Sequence, residues 1–482
     1  MKFPKIIQNS FIYSFISFLQ KGVSFFLLPL YTVYLTPSDY GIMNVVTSVS
    51  SLISLLILMG LQGAGTRFYF KYKNDTEKVK RLWGTLVTFV LCSSVVVFSL
   101  AVLLHKWLID PIVGNIAFYP FILLGLLNVL VTPLYIFFQT YLQTLQIGYH
   151  YGINTFLNFL INVGLIILFV VGFEMGVVGV LVANLLTSII FFVYVAISFM
   201  PKIKMGIDKP LINESLKYSL PLVPHLLANW STGMIDRLLI NGLRDESETG
   251  LYSVASQFGS VVNTVVTAVN GAFSPWFFEK YEDGDIISIK RMATFVTFFY
   301  CAIALVISLF APEVLRIMVS EEFRVVWTII PLLSFAYVFQ GLYCIFINVL
   351  FIRKTKLVFL VSVSALVTNV VLNVLLIPKY GYVGGAISCV LAFFIKSLVA
   401  YIIATKSETT IRFNAFKLYA ITFMAMTVVL LSPLLYNMSL LLSLSIKIAV
   451  CLIIVAFVYF RYKEFVFAMI KSRRATKSNA EQ

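Results

Sequence analysis

Apolar residues run along this chain in long, nearly unbroken stretches separated by short polar punctuation. A helix needs about 20 apolar residues to cross a hydrocarbon core, whereas a membrane β-barrel needs short segments of alternating polarity. The pattern predicts fourteen transmembrane helices, at 6–35, 40–66, 82–104, 116–145, 151–172, 176–200, 215–243, 249–276, 291–311, 326–352, 357–377, 382–404, 415–436 and 441–460. The breaks between them hold turn formers, as at Thr36-Pro37-Ser38-Asp39, 172–176 and Pro378-Lys379-Tyr380-Gly381. The stretch 116–145 is long and carries Pro120 and Pro133, so a tilt or kink is expected there.

Hydrophobic residues make up 60% of the 482 positions and charged residues only 12%, too little polar surface for a soluble domain of this size. The net charge of +15 would suggest nucleic acid on a soluble protein. Its distribution points elsewhere. One alternating set of loops, including both termini, holds about 27 Lys and Arg, and the opposite set holds five. That bias places both termini in the cytoplasm and supports an even number of spans. The opening Met1-Lys2-Phe3-Pro4-Lys5 leads into a segment too long and polar for a cleaved signal peptide, so the first helix is expected to be retained. Cys92, Cys301, Cys344, Cys389 and Cys451 all lie in apolar runs without a C-x-x-C pair, which suggests neither a disulfide framework nor a metal site. There is no Walker A sequence, no cofactor motif and no cluster of catalytic carboxylates.

The chain repeats itself. Ser10-x-x-Tyr13-Ser14 recurs as Ser215-x-x-Tyr218-Ser219, and Gly176-x-x-Gly179 as Gly381-x-x-Gly384, both at an offset of 205. Gly41 recurs as Gly250, and Lys71-Tyr72 as Lys280-Tyr281, both at 209. Asn158-x-x-x-Asn162 and Asn369-x-x-x-Asn373 are a weaker pair at 211. The expected organisation is a six-helix lobe at 1–205, a second at 206–408, a helical hairpin at 409–460 and a basic tail at 461–482. Two halves of one topology are parallel repeats about an axis along the membrane normal, with a site between them near the midplane.

Ionisable groups in mid-span cost roughly 2.5–3.5 kcal/mol on insertion scales and normally face a bundle interior or wet cavity. Lys21, beside Gln20, continues a polar stripe of Ser10, Ser14 and Ser17, and reads as a cavity cation. The stretch 215–243 is the most polar, with Pro221 and Pro224 expected to bend it. Its His225, Asn229, Thr232 and Asp236 share one helical face. His225 and Asp236 are the candidates for cation or proton exchange, and Arg237 for substrate binding. The bland alternative for Asp236 and Arg237 is structural bonding to neighbouring helices. Arg67 reads either as a topology anchor or as a phosphate clamp. Gln139, Gln143, Gln257 and Asn263 are candidate cavity lining or interhelical bonds. Lys396 and Lys447 are expected to snorkel. The tail at 461–474 reads as a basic amphipathic helix on anionic lipid.

Several local motifs carry a family resemblance. They are the opening 9–21, Leu35-Thr36-Pro37-Ser38-Asp39-Tyr40-Gly41, Asp236-Arg237, Gly250-Leu251-Tyr252-Ser253 and Tyr380-Gly381-Tyr382-Val383-Gly384-Gly385-Ala386. On these the chain resembles the polysaccharide-export (O-antigen flippase type) family of the multidrug/oligosaccharidyl-lipid/polysaccharide exporter superfamily. The resemblance implies a two-lobed, non-enzymatic transporter in the bacterial cytoplasmic membrane. It would flip undecaprenyl-diphosphate-linked oligosaccharide by alternating access, coupled to proton or sodium flux, with Lys21, Arg67 and Arg237 in a cationic path. Expected partners are the lipid-linked oligosaccharide, membrane lipids, a polysaccharide polymerase and a chain-length regulator. The protein itself is expected to be a monomer, without cofactor or nucleic acid. Competing readings are a lipid II flippase, a multidrug exporter of the same superfamily and, from another class, a membrane polysaccharide polymerase.

Overall fold

The structure, a computed structural model, describes residues 25, 27–354, 357–408, 411–435, 441–453, 456 and 460. Every regular element among them is helical. The longer helices are α1 (Leu28–Tyr34), α2 (Pro37–Leu58), α3 (Leu61–Tyr72), α4 (Thr76–Leu103), α5 (Leu123–Thr144), α6 (Gly148–Ile166), α7 (Gly176–Phe199), α8 (Lys209–Ser219), α9 (Val223–Leu243), α10 (Glu246–Glu282), α11 (Ile286–Met318), α12 (Ile330–Arg353), α13 (Val358–Tyr380), α14 (Tyr382–Ser407), α15 (Ala415–Leu430) and α16 (Leu441–Ile453). Nine helical stretches among the described residues are long and apolar enough to cross a membrane, and α15 and α16 are apolar but shorter. The helices α9 and α10 have the length but are too polar to join the nine. Gln20 and Lys21 lie outside the described residues, as do most of the first expected span and the whole tail.

Local sequence explains where helices start and bend. Thr36 caps α2 in a capping box with Asp39, with Pro37 in the first turn where its missing N–H costs nothing. At the equivalent place in the repeat, Asp245 accepts the Glu248 N–H at 2.8 Å at the start of α10. The second expected span is not continuous. Met59 and Gly60 both adopt left-handed backbone, ending α2 and starting α3, which a hydrophobicity pattern cannot reveal. The seventh breaks as expected: α8 runs through a tight turn at Leu220–Leu222, around Pro221, into α9. In the stretch holding Pro120, the bend falls on Tyr119, pushed to extended backbone by the proline that follows. The helix then continues through Pro133. Gly176 and Gly381 both take positive φ, and Gly179 and Gly384 each pack against backbone of the preceding helix, at Phe169 and Leu376. These two positions of the repeat therefore share local backbone geometry.

The molecule divides into two compact units, one of residues 1–254, 318–323 and 366–388, the other of 255–317, 324–365 and 389–482. In lipid there is little hydrophobic drive between helices, so cohesion comes from close packing and interhelical hydrogen bonds. The first unit packs α2, α4, α5 and α7 around Val45, Trp83, Leu86, Leu126 and Phe137. Trp83 meets Phe137 and Tyr141 edge to face and lies over Gly65. The second unit centres on Phe339, which touches Phe394 and Phe423.

The second unit also corrects an expectation. Lys396 and Lys447 do not snorkel; they are 4% and 1% exposed. Lys396 donates to Gln340 Oε1 at 3.1 Å and lies 4.3 Å from the Tyr343 ring centroid. Lys447 pairs with Glu313 at 2.6 Å. Each finds a polar partner on a neighbouring helix, α12 or α11, so neither needs to reach the membrane surface.

Candidate functional site

Two adjacent residues of α9 face different surroundings, because helical neighbours point about 100° apart. Asp236 is 4% exposed. One carboxylate oxygen accepts Tyr252 Oη at 2.6 Å from α10, and the other accepts Asn373 Nδ2 at 2.6 Å from α13. Asn373 also donates to Asn369 Oδ1 at 3.1 Å, while its own Oδ1 is buried without a hydrogen bond. The result is a polar knot joining three helices of the first unit. Arg237 has no carboxylate partner among the described residues. Its guanidinium lies 2.9 Å from Met234 Sδ and 3.5 Å from the Gly233 carbonyl, and its Nε is buried without an acceptor. A half-satisfied guanidinium in a helix interior is chemically suited to an anionic ligand, which it can engage bidentately.

The polar face expected on α9 divides along its length. Asp236 is closed in packing, whereas His225 is half-buried and bonds exposed Asn229 at 3.1 Å. The structure does not bring His225 and Asp236 together. Gln139 is nearly buried and donates to Tyr135 Oη at 2.6 Å and Thr155 Oγ1 at 2.9 Å, linking α5 to α6. Gln257 is half-buried in the second unit.

A second site lies where α3 meets α8. Arg67 and Lys71 are four residues apart on α3, and Glu214, Lys217 and Tyr218 share one face of α8. With Phe68 they line a cavity of about 490 Å³. The Arg67 guanidinium stacks 4.5 Å from the centre of the Tyr218 ring. Glu214 pairs with Lys71 and accepts Tyr72 Oη at 2.6 Å. These two donors hold its carboxyl below the usual carboxylate range. In the sequence Arg67 stands out as a candidate phosphate clamp, with Lys71 and Tyr218 visible only as repeat marks. The four-residue spacing of Arg67 and Lys71, facing Glu214, Lys217 and Tyr218, was visible, but the approach of α8 to α3 was not. Likewise Tyr252 and Asn373, which bind Asp236, and Asn369 beside them stand in the sequence only as family or repeat marks.

In the second unit a groove of about 780 Å³ runs between α11, α15 and α16, lined by Phe298, Leu305, Ile421, Met424, Val428 and Val450. Its wall is almost wholly apolar. Among the described residues no cluster of His, Cys, Asp and Glu suited to a metal ion occurs.

Nine helical stretches among the described residues, each long and apolar enough to cross a membrane, define a multi-pass membrane protein. The chain belongs to the polysaccharide biosynthesis protein family, whose model matches residues 6–280. It is 22% identical over 416 residues to Lsg locus putative protein 1 of Haemophilus influenzae, across 82% of this chain and 99% of that protein. Its fold is similar to the inward closed conformation of lipid II flippase MurJ, with a TM-score of 0.69 at 14% identity, covering 95% of this chain and 98% of that one. It is also similar to an inward-facing multidrug resistance MATE family transporter of the MOP superfamily, with a TM-score of 0.61 at 15% identity, covering 79% and 92%.

Proposed function

We propose that this protein flips an undecaprenyl-diphosphate-linked oligosaccharide from the cytoplasmic to the outer leaflet of the bacterial cytoplasmic membrane, by alternating access of two six-helix lobes at 1–205 and 206–408. The observation that carries the reading is Arg237, a guanidinium within α9 that meets no carboxylate among the described residues and keeps a buried, unbonded Nε. Such a group suits a diphosphate, and Arg67 and Lys21 are assigned to the same anionic path. Asn229, Gln20 and Gln257 are assigned to the sugar, which needs neutral hydrogen-bonding groups. Gln139 is committed to Tyr135 and Thr155, so its contribution is to shape the lobe. The apolar groove between α11, α15 and α16 matches the prenyl chain, which gains nothing from a polar path.

Coupling to a proton or sodium gradient is assigned to Asp236 and His225. The two are apart, so they act as separate groups. Asp236 is the better candidate, because Asn373 Oδ1, a further buried acceptor, belongs to the residue bonded to it. The protein works as a monomer with both termini in the cytoplasm, beside a polysaccharide polymerase and a chain-length regulator, and performs no catalysis itself. The matching polysaccharide biosynthesis family favours a polysaccharide repeat unit over lipid II as cargo, and a cation within α9 disfavours the cationic cargo of a multidrug exporter.

The test is reconstitution into vesicles with fluorescent lipid-linked oligosaccharide, scored by accessibility of the label at the outer leaflet. The wild-type chain should move the label and R237A should lose most of that movement, with R237K intermediate. Full movement in R237A removes the central assignment, and no movement by the wild-type chain with or without ion gradients removes the function.

A further inference from the structure

We propose that the cleft between α3 and α8 is a loading site for a diphosphate headgroup, occupied in this structure by the protein's own Glu214 as a stand-in anion. This rests on the reading that the cargo carries a diphosphate. The cleft is built by two short faces: Arg67 and Lys71 on α3, and Glu214, Lys217 and Tyr218 on α8. Three cations, Arg67, Lys71 and Lys217, line the cleft against one carboxylate, and Lys78 lies 4.1 Å from the Tyr72 ring centroid. With Glu214 displaced, this cationic cluster faces the two negative charges of a diphosphate diester. The cavity, about 490 Å³, is in the range of small-molecule sites. Neither Arg67 nor Lys217 has a carboxylate partner among the described residues, and the flat Arg67 guanidinium is held in place by the Tyr218 ring. Both oxygens of Glu214 are engaged, one by Lys71 and one by Tyr72 Oη. An ammonium and a phenol converging on two oxygens of one anion would serve a phosphoryl group equally well.

The exchange has a mechanical consequence. When a diphosphate takes Lys71 and Tyr72, Glu214 is released, and with it the tie between α3 and α8. Helix α8 continues through the tight turn at Leu220–Leu222 into α9, which carries Arg237. Loading at the rim is thereby linked to the helix that bears the deeper cation. The loop charge bias assigns this rim to the cytoplasmic face, where a lipid-linked precursor would be presented.

The test uses the full chain in nanodiscs of zwitterionic lipid, with inorganic pyrophosphate, inorganic phosphate and phosphatidylglycerol as probes and direct calorimetric titration as the readout. Pyrophosphate should bind more tightly than phosphate. R67A and K217A should each weaken pyrophosphate by about tenfold, the loss of a charge-assisted contact. E214Q should tighten it several-fold by removing the competing anion, while K202A, an exposed cation elsewhere, should leave it unchanged. The E214Q gain separates exchange from simple folding damage, since an unfolded cleft cannot bind better. Weaker binding in E214Q, unchanged binding in the R67A/K217A double variant, or phosphatidylglycerol competing as well as pyrophosphate would each overturn the proposal. The last would make the cleft a membrane-surface anchor. If these titrations come out as expected while the wild-type chain flips no lipid-linked oligosaccharide, the loading site stands and the transport reading falls. If flipping is intact and the titrations are flat, the reverse holds.

Discussion

Gly41 and Gly250, which hold equivalent positions in the duplicated sequence, lie against each other backbone to backbone. A Cβ on either would stand 3.1 Å from the other's amide nitrogen and would collide with a carbonyl, that of Glu246 in one case and that of Pro37 in the other. The contact is reciprocal, as a two-fold crossing of duplicated helices requires. It joins the first turns of α2 and α10, each started by a side-chain cap, at Thr36 and Asp245. Small residues at such crossings allow helices in a membrane to approach closely enough for dispersion to hold them.

Substitution at this crossing should therefore be costly in a way that scales with side-chain size. G41A and G250A are each expected to cost about 1–3 kcal/mol, the typical penalty for overpacking, and G41V more, because a branched side chain has no flexible neighbour to displace. Thermal unfolding of purified variants in detergent would measure this. A valine variant as stable as the wild type would show that the two backbones do not touch.

The sequence made much of this legible and some of it not. The repeat spacing picked out Gly41 and Gly250, because a close approach admits only glycine, and the G-x-x-G pairs at 176 and 381 proved to share both positive φ and close backbone packing. Prolines 221 and 224 marked the α8–α9 junction, because a missing N–H is a property of the residue itself. The break at Met59–Gly60 was not marked, since a left-handed Met has no sequence signature. Lys396 and Lys447 were misread because depth in a span says nothing about which partners tertiary packing will supply. Asp236 and Arg237 were both noticed, but only packing could separate a satisfied carboxylate from an unsatisfied guanidinium.

That separation leads to a prediction for Asp236. D236N places an amide against the Tyr252 hydroxyl and the Asn373 amide, both of which donate to the carboxylate. It should cost roughly 1–3 kcal/mol of stability, more than Y252F, which removes only one bond. Transport measured on the folded fraction under proton or sodium gradients isolates any coupling role. If H225A and D236N both transport at the wild-type rate under every gradient, the carboxylate is structural only.

The buried pair in the second unit makes a different demand. Lys447 is 1% exposed and bonds Glu313 at 2.6 Å, so removing either member takes a charge partner from the other. E313A and K447A should each be destabilising, and the double variant should lose less than both together, with a coupling of roughly 1–3 kcal/mol. Thermal unfolding of the four proteins completes the cycle. Strict additivity would mean that the pair does not tie α16 to α11.

Glu214 offers a pH-dependent readout of the α3–α8 contact. Lys71 and Tyr72 hold its carboxyl below the usual carboxylate range, so the folded state binds the proton less readily than the unfolded chain does. By linkage, this contribution to stability is complete above the ordinary glutamate value of about 4.3 and is lost as the pH falls through the depressed folded value. Amide hydrogen exchange across α8, corrected for intrinsic rates, should stay protected from neutral pH down to roughly pH 5 and loosen only below about pH 4. E214Q should exchange faster at neutral pH and show no such transition, because glutamine has no proton to gain. A wild-type α8 that loosens between neutrality and pH 5 would implicate some other titrating group, and an E214Q profile that follows the wild type would exclude Glu214 as the tie.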